Sequence, residues 1–252
     1  MLVSIFDLEI NISNTTLNDI VNHQGNPSRL LDMKIPPLLP VMTLKDVVFF
    51  PSAMMPLRIF EDRYKKMLMD VLNSDRMFAV VAQRENFSLH DELNEPAFEV
   101  ATVGLVRVSK ENPDGTSFVM LQGVSRIRIK SIVQESPYRL LQAEVVSTIS
   151  GTGKLEIRQK IFDALVQNQK LGGEVTQEIL DYLGPLEDDV AFVDLAAFTL
   201  CKHTIRKQAM LEVQRLHKRA EMLFNDILQE NLQLTLDRYG AGSKEDREND
   251  RN

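Results

Sequence analysis

Few stretches of this 252-residue chain carry side chains at a spacing that could do chemistry. Gly153-Lys154 looks like the end of a phosphate loop, whose G-x-x-x-x-G-K-[ST] pattern wraps amides around phosphates and supplies a hydroxyl to magnesium. Its first glycine position holds Thr148 and its hydroxyl position Leu155, so the segment reads as a linker. The histidines are His23, His90, His203 and His217, and none forms H-E-x-x-H. Cys201-Lys202-His203 offers two ligands without a partner pair, short of the three or four that a zinc site needs. His217 and Glu221 stand one helical turn apart, the spacing of an ion pair. Among the carboxylates, Asp91, Glu92 and Glu95 fall in loop-like sequence. Glu187-Asp188-Asp189 opens a helix, where acids favour the positive end of the dipole. No serine, cysteine or threonine has a neighbouring base that would activate it. The residues therefore predict no enzyme: no catalytic residue, no metal site and no cofactor.

Two segments suit binding better. Arg126, Arg128 and Lys130 alternate with Ile127 and Ile129, which gives a strand one basic and one apolar face. Such a face could meet RNA phosphates. No aromatic residue interleaves with the charges, as base stacking would need, so a solvated face is the better reading. The segment FFPSAMMPLRIF holds Phe50, Met54, Met55, Leu57 and Phe60 in a loop held by Pro51 and Pro56. These five form the candidate interaction surface, since methionines offer an adaptable apolar contact for varied peptides. The competing reading is that they plug the core.

Composition agrees with a binding role. Hydrophobic residues make up 44% and charged residues 26%, ordinary for a globular chain. The formal net charge of −7 disfavours phosphate backbones as partners. No run of eighteen apolar residues marks a membrane span, and the opening MLVSIFDLEINIS lacks the basic start of a signal peptide. The lone Cys201 fits a reducing compartment, so a cytoplasmic location is expected.

These residues must be positioned by two kinds of element. Residues 1–35 read as a marginally ordered arm, with turn chemistry from His23 to Arg29. From residue 36 to about 150 the period is two. Val47–Phe50 reads as a short strand, Met77–Ala82 as a strand buried on both faces, and Ala101–Val108 and Thr116–Leu121 as a hairpin around Asn112-Pro113-Asp114-Gly115. Gly123–Ile132 and Leu140–Val146 add further strands. Glu61–Asn73 is a helix with Tyr64, Met67, Leu68, Val71 and Leu72 on one stripe. Beyond Gly151 the period becomes helical: Leu155–Leu171, Val175–Leu183, Asp188–Leu200 and one long helix from Arg206 to Leu236. Ala209, Val213, Leu216, Ala220, Leu223 and Ile227 along the last make a coiled-coil-like seam. Residues 238–252 are charged and predict a disordered tail.

The segment LLPVMTLKDVVFFPSAMMPLRIFEDRYKKMLMDVL resembles the opening of the Lon protease amino-terminal domain. Leu39-Pro40, Val47–Pro51 and Pro56-Leu57 before Glu61 carry the likeness. It continues through VVAQRE at Val80–Glu85, VATVGLVRV at Val100–Val108, and Gly123, Arg126 and Ile129. The resemblance covers roughly residues 37–235. It implies an α+β chain: a PUA-like β-barrel over residues 36–150 with one interleaved helix, then a helical bundle over 151–237 ending in a long helix. It also implies a stand-alone substrate-recognition module without the ATPase and protease domains, with protein or peptide partners. RNA binding and a hydrolase whose residues meet only in the fold are the alternatives.

Overall fold

The computed structural model describes residues 33–84, 97–151 and 155–249, with side chains through Arg238. The carboxylates Asp91, Glu92 and Glu95, the histidines His23 and His90, most of the amino-terminal arm and Gly153-Lys154 lie outside the described residues. The chain divides into two compact units, residues 1–145 and 146–252, and has an α+β fold.

The first unit is a mixed six-stranded sheet. Its elements are β1 (Leu38–Leu44), β2 (Met54–Ile59), helix α1 (Asp62–Leu72), β3 (Met77–Ala82), β4 (Val100–Glu111), β5 (Ser117–Gln134) and β6 (Leu140–Val146). The strand order is β2-β5-β4-β3-β1-β6, and β5 also pairs with β6. Eighteen residues let β5 do this: its first six pair with β2, leaving its later part for β6. Five strands thus close into a ring and β2 hangs outside it. β1 and β3 run parallel, so α1 lies on the crossover between them, and the β1–β6, β2–β5, β3–β4 and β4–β5 pairs are antiparallel. Closure buries Leu39, Val41, Ala79, Val81, Val103, Ile127 and Leu141 in one core, with Met33 and Ile35 packed against it.

The hairpin turn forms where its residues predict it. Gly115 has φ 73°, and the Asn112 N–H donates to Thr116 O at 2.7 Å while Asp114 Oδ1 accepts from the Thr116 N–H at 3.0 Å. β3 is buried along its whole length, as its unbroken apolar run predicts. Two strand expectations need correction. Val47–Phe50 is not a strand: Val48, Phe49 and Phe50 are buried one after another, and Phe49 O accepts from the Thr102 hydroxyl at 2.6 Å instead of entering a ladder. Thr116–Leu121 and Gly123–Ile132 are one strand, with a register shift opposite Val103/Gly104.

The second unit is helical: α2 (Ile157–Lys170), α3 (Gln177–Leu183), α4 (Asp189–Leu200), α5 (Thr204–Glu212) and α6 (Leu216–Asn249). Thr176 and Asp188 cap α3 and α4 by accepting from the N–H groups of Ile179 and Val190. The single long helix expected from Arg206 is two. Val213 is extended, Ile149 bridges to Arg215, the Ile149 N–H donates to Gln214 O and the Leu216 N–H to Ile149 O. The backbone of Ile149 therefore takes groups that a continuous helix would have used. The apolar seam survives only in α6, where Leu216, Ala220, Leu223 and Ile227 are buried. Helical backbone in α6 continues to Asn249, through much of the charged segment.

Candidate functional site

Local backbone chemistry positions the segment that the residues single out. Pro51 and Ser52 turn the chain, Ser52 in the left-handed region at φ 67°. The turn docks on Gly123: the Ser52 N–H donates to Gly123 O at 2.9 Å, and the Gly123 N–H donates to Ala53 O at 2.8 Å. A Cβ on Gly123 would stand 2.1 Å from Phe50 O, so only glycine admits this approach.

From there the chain enters β2, which was expected to be a loop. Met54 pairs with Gln122, Met55 with Leu121, Pro56 with Met120, Leu57 with Val119, Arg58 with Phe118 and Ile59 with Ser117. The Gly123–Ala53 bond fixes the phase of this ladder. Met55, Leu57 and Ile59 direct their backbone polar groups to β5, while Met54, Pro56 and Arg58 direct theirs away. Proline fits at an outward position, where it forfeits no bond to β5. Among the described residues nothing pairs with the outer side of β2, so it is the open edge of the sheet.

The five candidate residues divide accordingly. Phe50 and Met55 are core side chains, 0% and 1% exposed, and cannot meet a partner directly. Met54 and Leu57 are partly exposed and Phe60, just past the strand, is 48% exposed. Arg58, which the residue types did not single out, stands on this edge. Its Nη2 lies 2.8 Å from Asp114 Oδ2, and both side chains are about half exposed. Its mark in the sequence is only a cation between two apolar residues of a strand.

The basic strand face is not the array that its alternation suggests. Arg126 is buried, with its guanidinium 5.8 Å from the Phe50 ring centre. Arg128 and Lys130 both pair with Glu144 of β6, at 3.6 and 2.6 Å. The pair of bases holds the Glu144 carboxyl below its ordinary range, chiefly through the Lys130 hydrogen bond.

In the second unit the polar residues do structural work. Asp188 caps α4. Asp189 binds the Leu155 N–H and the Arg158 guanidinium, which stacks 4.3 Å above the Phe192 ring. These acids, with Glu156, Glu187 and His217, line a cleft of about 420 Å³. His217 Nε2 lies 3.2 Å from Glu221 Oε1, the expected pair. Cys201 is buried, and burial together with Asp226 pushes its thiol pKa up, away from a reactive thiolate. Among the described residues no three of His, Cys, Asp and Glu group as metal ligands do. No helix among them is long and apolar enough to cross a membrane.

Residues 38–229 match the family model of the ATP-dependent protease La (LON) substrate-binding domain. The chain belongs to the Lon substrate-binding domain family. Lon protease of Buchnera aphidicola (subsp. Acyrthosiphon pisum) is 25% identical over 190 residues, covering 73% of this chain and 24% of that protein. Lon protease of Clostridioides difficile is 28% identical over 208 residues, covering 78% of this chain and 26% of its own. The chain thus spans about a quarter of the length of these Lon proteases. Two solved Lon amino-terminal domains share the fold. The one from Mycobacterium avium complex has TM-score 0.60 at 15% identity, over 75% of this chain and 97% of that one. The one from Xanthomonas campestris has TM-score 0.56 at 19% identity with the same coverage.

Proposed function

We propose that this Lon-family chain is a non-catalytic, cytoplasmic module that binds exposed peptide segments of other proteins along the outer edge of β2. One observation carries the reading: among the described residues nothing pairs with the outer edge of β2, which presents Met54, Leu57 and, just past the strand, Phe60 as apolar contacts beside the exposed Arg58. An extended peptide would bond to the outward groups of Met54, Pro56 and Arg58, and its side chains would meet Met54 and Phe60. Main-chain bonding accepts many sequences and the methionine adapts to them, which suits recognition of unfolded protein. Phe50 and Met55 support the strand from beneath. The family's name supports peptide or protein partners.

The test is a titration of a fluorescent ten-residue peptide with alternating apolar residues, beside a copy with proline at its centre. Saturable binding to the first and not the second is expected. Met54→Asp and Phe60→Asp should weaken it at least tenfold while stability stays within about 1 kcal/mol, because both residues already meet water. Met55→Asp should instead cost several kcal/mol, an unpaired carboxylate in the core. Equal affinity for both peptides, or for wild type and both surface variants, would refute the edge as the site.

A further inference from the structure

An open sheet edge is a template for any extended chain, a second copy of the same protein included. On the outer side of β2, Met54, Pro56 and Arg58 offer three carbonyls but only two N–H groups, because proline has none. Met55, Leu57 and Ile59 keep the bonds to β5, so the proline costs the fold none of its own ladder. We propose that Pro56 is the specificity-determining residue of this edge, withholding it from a second copy of the chain.

Symmetry makes the missing donor count twice. Two identical edges related by a two-fold axis bond as antiparallel strands, each presenting the same residues to the other. The longest pairing of Met54–Ile59 with itself sets Pro56 opposite Pro56 and Met54 opposite Arg58. Both bonds of its central pair are lost, and two proline rings meet where each edge should donate. Sliding the strands until Pro56 faces Met54, or faces Arg58, pairs two outward residues of each copy and again loses two bonds. Further slides leave a single pair within the strand, Met54 on itself or Arg58 on itself. Every register that joins more than one outward residue of each copy therefore loses two bonds. An extended chain of another sequence meets the gap once. Its carbonyl opposite Pro56 lies at an open edge, where water can bond to it.

Acceptance of a foreign peptide rests on the function proposed above; the exclusion of a second copy does not. Sedimentation equilibrium on the full chain tests the exclusion. Pro56→Ala restores the donor alone, and Pro56→Thr adds a residue that favours strands. Two regained bonds should tighten self-association by about thirtyfold over wild type in the first variant, and by more in the second. Hydrogen exchange locates the contact: in both variants the amides of residues 56 and 58 should gain protection as protein concentration rises. Both should keep the wild-type urea midpoint at low concentration, since the position faces away from β5. Folded variants that associate no more than wild type overturn the proposal. So does association without added protection at residue 56, or a wild-type Arg58 amide that already gains protection with concentration. In the peptide titration, Pro56→Ala kept dilute enough to be monomeric should bind about fivefold more tightly than wild type. Self-association of the variants with no peptide binding by any of the proteins would refute the function proposed above and leave this role of Pro56 standing.

Discussion

Single residues here act mainly by occupying space or holding charge where nothing else fits. Gly123 is the sharpest case, because the atom that a Cβ would strike is backbone oxygen and cannot rotate aside. Gly123→Ala should cost about 3 kcal/mol, seen as a lower urea midpoint at unchanged slope. Gly151→Ala, with open space around it, should cost almost nothing by the same measurement. Asp70 shows how charge is held. Lys66 Nζ lies 2.5 Å from Oδ1 and the Tyr138 hydroxyl donates to Oδ2 at 2.8 Å. The Lys66 bond first, and then the Tyr138 bond, hold the carboxyl below its ordinary value of 3.8. Burial and the Asp70 charge push the Tyr138 hydroxyl up to about 12. The signs follow from linkage. The lowered Asp70 value stabilises the fold above the ordinary value and loses that contribution as pH falls through the folded one. The raised Tyr138 value stabilises it below 10.0, and the effect disappears as pH rises toward 12. Tyr138→Phe should therefore raise the Asp70 titration midpoint toward 3.8, measurable by carboxyl NMR, and remove the alkaline part of the stability profile.

At the scale of elements, polar contacts decide where helices stop. Arg219 and Asp194 are fully buried, with Nε 2.8 Å from Oδ1, and Arg219 Nη1 donates to Val213 O at the end of α5. The pair joins α4 to α6 and satisfies a carbonyl left over by the break. Arg219→Met strands a buried carboxylate and should cost about 3–5 kcal/mol in chemical denaturation, whereas Asp194→Leu with Arg219→Met should recover most of that. Asn168 makes a similar clamp. Its Nδ2 donates to Asn231 Oδ1 at 2.9 Å, and its Oδ1 accepts from the Val175 N–H at 3.2 Å. These bonds fix α2 on α6 at the turn where α2 ends.

At the scale of the whole molecule, charge separates the two partner classes. The net charge is −7, Arg126 is buried, and Arg128 and Lys130 are both engaged by Glu144, which offsets one of their two charges. No single-stranded RNA should bind tighter than about 1 μM at physiological salt. Filter binding at two salt concentrations checks this, and sub-micromolar affinity abolished by Arg128→Glu would reinstate RNA as a partner. The sequence by itself determined the passage from a strand region to a helical one, because the hydrophobic period switches from two to the helical one near Gly151. It also determined the hairpin and the buried β3, whose signals are local. The family was legible for a related reason: its likeness is spread over apolar positions and turn residues rather than over a reacting group. Tertiary structure alone decided the rest. Val47–Phe50 and Met54–Ile59 are both apolar and near prolines, and only the close approach at Gly123 makes the first a core plug and the second an edge strand. The break between α5 and α6 has no glycine or proline to announce it, since it is made by Ile149, more than sixty residues away. Arg126 alternates like Arg128 and Lys130 and is buried, with its guanidinium against the ring of Phe50, more than seventy residues away. In each case the deciding atom belongs to a residue distant in the chain, and periodicity carries no information about it.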